Sequence, residues 1–356
     1  MQHKVLTIQY LRGFAAMLVL ASHALLYPIV EHNRDFGRLG WLGVILFFVI
    51  SGFIMVAVTG EGRFSATGFL RRRFIRVVPM YWLATLLASG LALLAPQLFK
   101  TTVYDGTQLV LSLLFVPFHN AASGGIHPLY KLGWTLNYEI FFYVCFALLA
   151  FMGMGARVVW LTIAFVSLLV LGLIFQPQAA IPQFYTSFMP LAFCAGAWLG
   201  LATVRGKLAK LPPYVVCAVA VVGLAALAEG FAWDSALIEA GGAFAGFVVF
   251  ASAVVLLGVW LEPALPRIGL LEHIGDASYS VYLSHIYVVA ILCDLAFKVL
   301  NPANLASDYL VAVIAIIGGT AGGWILYQHV ERPLLRRVSA LFASRRSVPM
   351  PAPAAQ

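Results

Sequence analysis

Apolar residues in this chain run in long unbroken blocks, with polar residues gathered between them. The blocks fall at roughly 8–30, 40–58, 77–96, 132–152, 157–175, 183–203, 213–231, 238–260, 273–296 and 308–328. About 20 apolar residues in helical form cross the hydrocarbon core of a bilayer. The pattern therefore predicts an all-α, polytopic bundle of about ten transmembrane helices. A shorter run, Leu109 to Phe118, is too brief to cross and contains Pro117 near its end. It is read as a re-entrant or surface helix inside one long loop.

Composition agrees with that pattern. Of the 356 residues, 62% are hydrophobic and 10% charged, against about 25% charged in soluble domains. A mean hydropathy of +0.94 excludes a soluble enzyme, a disordered chain and a disulfide-rich secreted scaffold. The net charge of +8 points to membrane-flanking loops and not to nucleic acid. Its placement fits that reading. Basic residues gather at Arg63 and Arg71–Arg76, at Arg205, Lys207 and Lys210, and in the tail at Arg332, Arg336, Arg337, Arg345 and Arg346. With ten spans, all three groups share a side with the N-terminus and Lys4, whereas Glu31, Asp35, Glu229 and Asp234 lie opposite, with Arg34 and Arg38. The positive-inside rule then makes both termini cytoplasmic; an eleventh span would put the last two basic groups outside. The first span is too long for the apolar core of a cleaved signal peptide. The expected organisation is a membrane domain over 1–335 and a tail over 336–356, basic and then rich in Pro and Ala, expected to be disordered. Cys145, Cys194, Cys217 and Cys293 lie in apolar runs without a CxxC pair, and read as small core hydrophobes, not as metal ligands or disulfides.

An ionisable side chain inside a membrane needs a reason. The first span holds Arg12 and His23, eleven residues apart. At 100° per residue they share a helix face, about 16 Å apart along it. Arg12 is either a headgroup anchor or a functional cation; His23 is either a packing histidine or a base. The span beginning Gly133-Trp134-Thr135-Leu136-Asn137-Tyr138-Glu139 runs the other way and places Glu139 close to the depth of His23. A carboxylate beside an imidazole sets the basicity needed to deprotonate a hydroxyl, although a structural pair would look the same. Ser278, Tyr282 and His285 form an i, i+4, i+7 stripe, suited to a polar cavity or to interhelical hydrogen bonds. The run Arg71-Arg72-Arg73-Phe74-Ile75-Arg76 is either a topogenic signal or a clamp for the phosphates of a cytoplasmic donor. The small-xxx-small spacings at Gly196 and Gly200, and at Gly318-Gly319 with Gly322-Gly323, read as packing faces. No Walker A, GxSxG, HExxH or EF-hand pattern is present.

Taken in order, Tyr10-Leu11-Arg12-Gly13 through His23, Gly43 through Phe53, the arginine run before Pro79, Gly133 through Tyr143, Ser278 through His285 and Glu331-Arg332-Pro333 resemble the membrane acyltransferase-3 family. The similarity covers roughly residues 5 to 335, and Gly133–Tyr143 resembles the exopolysaccharide-production branch. This resemblance implies an O-acyltransferase of a bacterial inner membrane, moving an acetyl or short acyl group from a coenzyme A thioester to a hydroxyl of a surface or exported saccharide or its lipid-linked precursor. It implies acetyl-CoA as donor substrate, with no permanently bound cofactor and no metal. Saccharide, bilayer and polysaccharide-assembly proteins are the implied partners. The family's essential Arg and His map onto Arg12 and His23, and its Arg-x-x-Arg pair onto Arg73 and Arg76, with Arg71 and Arg72 blurring the register. The expected site has His23 and Glu139 as catalytic pair, with Arg12, Arg71, Arg72, Arg73 and Arg76 as donor ligands. Ser51, Tyr279, Tyr282 and His285 would line the cavity or an oxyanion site. A transporter or flippase for lipid-linked saccharides, or a non-catalytic subunit of a polysaccharide-secretion complex, fits the same helix count and charge.

Overall fold

The long apolar blocks form helices because a buried backbone in lipid must satisfy its own hydrogen bonds. In the computed structural model, which describes residues 5–29, 35–96, 102–232, 241–300 and 305–344, these helices are α1 (Leu6–Ile29), α2 (Asp35–Thr59), α3 (Ala66–Leu94), α4 (Gly106–Leu113), α5 (Trp134–Leu148), α6 (Met154–Phe175), α7 (Ala180–Tyr185), α8 (Pro190–Val204), α9 (Pro213–Ala232), α10 (Gly242–Leu261), α11 (Gly269–Leu300), α12 (Leu305–Leu326) and α13 (Arg332–Ser344). Among the described residues, nine helical segments are long and apolar enough to cross a membrane, α7 with α8 and α12 with α13 each counting once. The protein is an all-α membrane bundle.

The tenth expected span is α5, and it is short. Its 15 residues extend about 22 Å at 1.5 Å per residue, less than the hydrocarbon core of about 30 Å. The chain ahead of it dips into the bundle instead of turning at the surface. Leu129, Tyr130 and Leu132 are buried; the Leu129 amide donates to Ser112 Oγ at 2.8 Å, and the Tyr130 hydroxyl donates to the Leu283 carbonyl. The run 109–118 does not span. Its residues 109–113 belong to the eight-residue α4, capped by Asp105, which accepts from the Gln108 amide at 2.7 Å. Tyr81 and Trp82 of α3 hold its end by donating to the Ser112 and Leu113 carbonyls, at 3.0 and 2.9 Å.

Helix α1 packs against α2, α11 and α12. Glu262, just beyond α10, fixes its depth. That carboxylate accepts from the Leu6 and Thr7 amides at 2.7 and 2.8 Å, neutralising the positive end of the helix. Gly275 lets α11 touch α1: a Cβ there would lie 2.2 Å from the Gln9 carbonyl oxygen. Between α2 and α8 the backbones also meet, since a Cβ at Gly52 would lie 2.0 Å from the Phe193 oxygen and one at Gly196 1.8 Å from the Val49 oxygen. These are packing faces of the expected small-xxx-small kind.

Arg157 is wholly buried near the start of α6. It donates to the carbonyls of Gly62 at 2.9 Å, Met152 at 2.8 Å and Leu149 at 3.4 Å, and to Thr59 Oγ1 at 3.2 Å, with its guanidinium over Phe64 and Phe146. It ties two loops to one point. At the other end of the chain, a π-helical turn over Tyr327–Glu331 links α12 to α13, so helix continues past the expected domain end at 335 as far as Ser344. Lys4, Glu31, Arg34, Asp234, Arg345, Arg346 and the rest of the tail lie outside the described residues.

Candidate active site

Three arginines converge on one cavity. Helix α3 carries Arg73 and Arg76 three residues apart, hence on one face, and α1 brings Arg12 to meet them. With Gln9, Ser51, Glu139, Tyr143, Tyr279 and Tyr282 they line a chamber of about 270 Å³, walled on its apolar side by Val44, Phe47, Phe48, Ile54, Met55 and Val77. Among the described residues, none of the three guanidiniums makes an ion pair. Among those residues Arg12 donates to Gln9 Oε1 alone, at 3.2 Å, and the buried Arg73 Nε has no partner. A second chamber of about 230 Å³ shares Gln9, Arg12 and Arg76 with the first and adds Asp276, Tyr327, Glu331, Arg332 and Arg336. Arg12 and Arg76 therefore stand at a junction between two compartments. Glu331, 1% exposed, is held by Ser280 Oγ at 2.5 Å; the π-helical turn brings it there.

Glu139 does not meet His23. Its Oε1 accepts from Ser51 Oγ at 3.4 Å and from the Tyr143 hydroxyl one turn along α5, and Oε2 has no protein partner among the described residues. The expected matching depth fails because α5 starts inside the bundle. Its first turn sits at the level of Tyr282, whose hydroxyl donates to the Leu132 carbonyl at 3.0 Å and lies 2.7 Å from Thr135 Oγ1. Glu139, one turn further, therefore reaches the level of Tyr279, whose hydroxyl donates to the Val77 carbonyl at 2.7 Å.

His23 finds His285 instead. His285 Nε2 lies 3.1 Å from His23 Nδ1, with ring centroids 5.0 Å apart. Along α11, His285 is six residues beyond Tyr279, or about 9 Å. Between the two levels lies a layer formed by Tyr282, Thr135, Leu136 and Phe47, with Phe47 edge-on to Tyr282. The histidines are not among the residues lining the arginine chamber.

Of the other expected residues, Ser51, Tyr279 and Tyr282 do line the chamber. Arg71 and Arg72 do not; Arg72 is exposed, and the pair that faces inward is Arg73 with Arg76. Gln9, Tyr143, Glu331, Arg332 and Arg336 are additions from the structure. Tyr143 had a sequence signal, its i+4 spacing from Glu139. Arg332 and Arg336 share that spacing, but nothing in the chain order assigns them to this cavity.

Comparison with known proteins places the site in context. Residues 5–328 match the acyltransferase-3 family model, described as an acyltransferase domain. The chain is 33% identical over 321 residues to the exopolysaccharide production protein ExoZ of Rhizobium meliloti (strain 1021), covering 88% of this chain and 95% of that protein. It is 32% identical over 149 residues to the acyltransferase MdmB of Streptomyces mycarofaciens, covering 39% and 37% of the two chains. A third similarity, 34% over 87 residues, is to protein 2 in the picA locus of Rhizobium radiobacter, covering 22% and 41%. No solved structure matches.

Proposed function

The chain belongs to the acyltransferase-3 family, and on that premise we propose that this membrane acyltransferase moves an acetyl or short acyl group from acyl-CoA to a hydroxyl of a surface or exported saccharide. The observation that carries the donor assignment is the cluster Arg12, Arg73 and Arg76, three cavity guanidiniums that make no ion pair among the described residues. Guanidiniums drawn out of water and left unpaired call for a polyanion, and bidentate contact with phosphate oxygens supplies one. The donor's phosphates lie at the junction of the two chambers, with Arg332 and Arg336 beside them, on the cytoplasmic side of an inner membrane. Its pantetheine arm extends along the apolar wall, where Glu139 Oε2 accepts an amide N–H.

In the transfer step the saccharide oxygen attacks the thioester carbonyl while His23 takes the hydroxyl proton. The carbon–sulfur bond breaks, the ester forms, and the CoA thiolate takes the proton from His23 to leave as the free thiol, which returns His23 to its neutral form. Movement of the Tyr282 layer brings the thioester to His23. The saccharide acceptor is suggested by the name of ExoZ and by the half-buried position of His23 near the far end of α1.

The test is acyl-CoA turnover by the purified protein in lipid nanodiscs, read as free thiol, together with mass spectrometry of surface polysaccharide from a deletion strain. The expected results are acceptor-stimulated CoA release and loss of acyl esters restored by the intact gene. Absence of acyl-CoA binding by the folded protein, with polysaccharide acylation unchanged in the deletion strain, would overturn the reading.

A further inference from the structure

The two histidines fix each other's protons. His285 Nδ1 lies 3.1 Å from the Val281 carbonyl and 2.8 Å from the Tyr282 carbonyl. A carbonyl oxygen only accepts, so this nitrogen carries a hydrogen. A neutral imidazole has one N–H, which leaves His285 Nε2 as an acceptor. His23 Nδ1 faces that acceptor at 3.1 Å and the Val19 carbonyl at 3.0 Å. It too must carry its hydrogen, shared between the two. His23 Nε2 is then the bare nitrogen, and no protein group among the described residues engages it.

We infer that His285 is a positioning residue, which holds His23 in the Nδ1–H tautomer and so presents a free Nε2 lone pair to the acceptor hydroxyl. The inference rests on the reading that His23 takes the hydroxyl proton. It assigns His285 the place that a carboxylate fills in a Ser-His-Asp arrangement, where the third group selects the tautomer and the ring orientation. His285 suits that task because it is wholly buried and anchored to its own helix by two carbonyls. It also removes His285 from the expected oxyanion role: its Nδ1–H is spent on the helix and its Nε2 has no hydrogen to give. The burden falls on one ring, since His23 keeps partial exposure and can meet a substrate.

The test uses the full-length protein in nanodiscs with His285→Leu, His285→Gln and His23→Ala. Leu fills space without an acceptor, whereas the Gln amide oxygen reaches the place of Nε2. The expected result for His285→Leu is a kcat loss of about 10- to 100-fold, by analogy with the loss on removing the partner that orients a metal-ligating histidine, with KM for acetyl-CoA unchanged; His285→Gln should recover most of the rate. Wild-type kcat in His285→Leu, or equal losses in the Leu and Gln variants, would overturn the inference. Nitrogen NMR of isotope-labelled histidine in the wild type gives a second reading, independent of whether the variants fold. A bare Nε2 on His23 is expected, and a proton on that nitrogen would overturn the assignment. Full activity in His23→Ala would sink the proposed transfer step itself, and is thereby distinguishable from failure of the tautomer relay.

Discussion

Arg76→Ala separates donor binding from chemistry. Arg76 borders both chambers and makes no ion pair among the described residues. Its removal therefore breaks no direct ion pair, and on the proposed donor site the main loss is that of its contact with the donor. A charge-assisted hydrogen bond contributes about 1.5–3 kcal/mol. With about 1.4 kcal/mol per tenfold in affinity, KM for acetyl-CoA should rise roughly 10- to 100-fold. On the proposed donor site two neighbours, Arg12 and Arg73, remain for the same phosphates, and relief of mutual repulsion offsets part of the loss. The lower half of that range is expected. The contact is the same in ground and transition states, so kcat should change little. Thiol release measured against acetyl-CoA concentration reads both constants, and inhibition by free CoA should weaken by the same factor. Arg72→Ala, at an exposed position outside the chambers, is the control and should behave as wild type. Unchanged KM and CoA inhibition in Arg76→Ala, or an equal effect of Arg72→Ala, would refute the reasoning.

Other parts of the molecule give further expectations. Arg157→Met removes the donor from the Gly62, Met152 and Leu149 carbonyls and should destabilise the protein by about 3 kcal/mol or more, seen as a lowered Tm in detergent; an unchanged Tm would contradict the tethering role. Gly196→Val drives a side chain into the Val49 carbonyl and should abolish recovery of folded protein by size-exclusion chromatography, whereas Gly37→Ala, with nothing within 4 Å, should be silent. Burial, with Lys131 nearby, holds the His127 imidazole down to about 4 from 6.5. The opened loop then binds a proton that the closed loop resists, so its stability should be full above about pH 6.5 and fall as pH drops toward 4. Hydrogen exchange across residues 119–131 reads this, and His127→Asn should flatten it; an equal pH response in that variant would show that another group is responsible.

Hydropathy located nearly every crossing helix because lipid leaves a backbone few alternatives. It misjudged α5, whose apolar residues look the same whether the helix begins at the surface or beneath it. The difference lies in Tyr130 and Leu132 being drawn inward by partners far away in the chain. That error carried into the site, for depth counted from a surface start put Glu139 beside His23. The arginine run showed a similar limit. Four arginines within six residues are visible in any reading, but only the rotation of α3 within the bundle selects Arg73 and Arg76. His285 was legible as part of a polar stripe. Its partner was not, since a stripe gives a direction on one helix and says nothing of the register between two.

The layer of Phe47, Tyr282, Thr135 and Leu136 has an electrical meaning. An aqueous chamber reaching into a bundle from one face carries that face's potential inward, so in an energised membrane the voltage drops mainly across whatever plug remains. Moving one charge through the whole drop amounts to about 2.3 kcal/mol per 100 mV, and a narrow plug concentrates that work into a few ångströms. Protons exchanged across this plane, or negative charge left on the thiolate side of it, would sense the field directly. On the proposed donor site, the same aromatic layer would have to close tightly enough to limit ion leakage as well as to retain the donor.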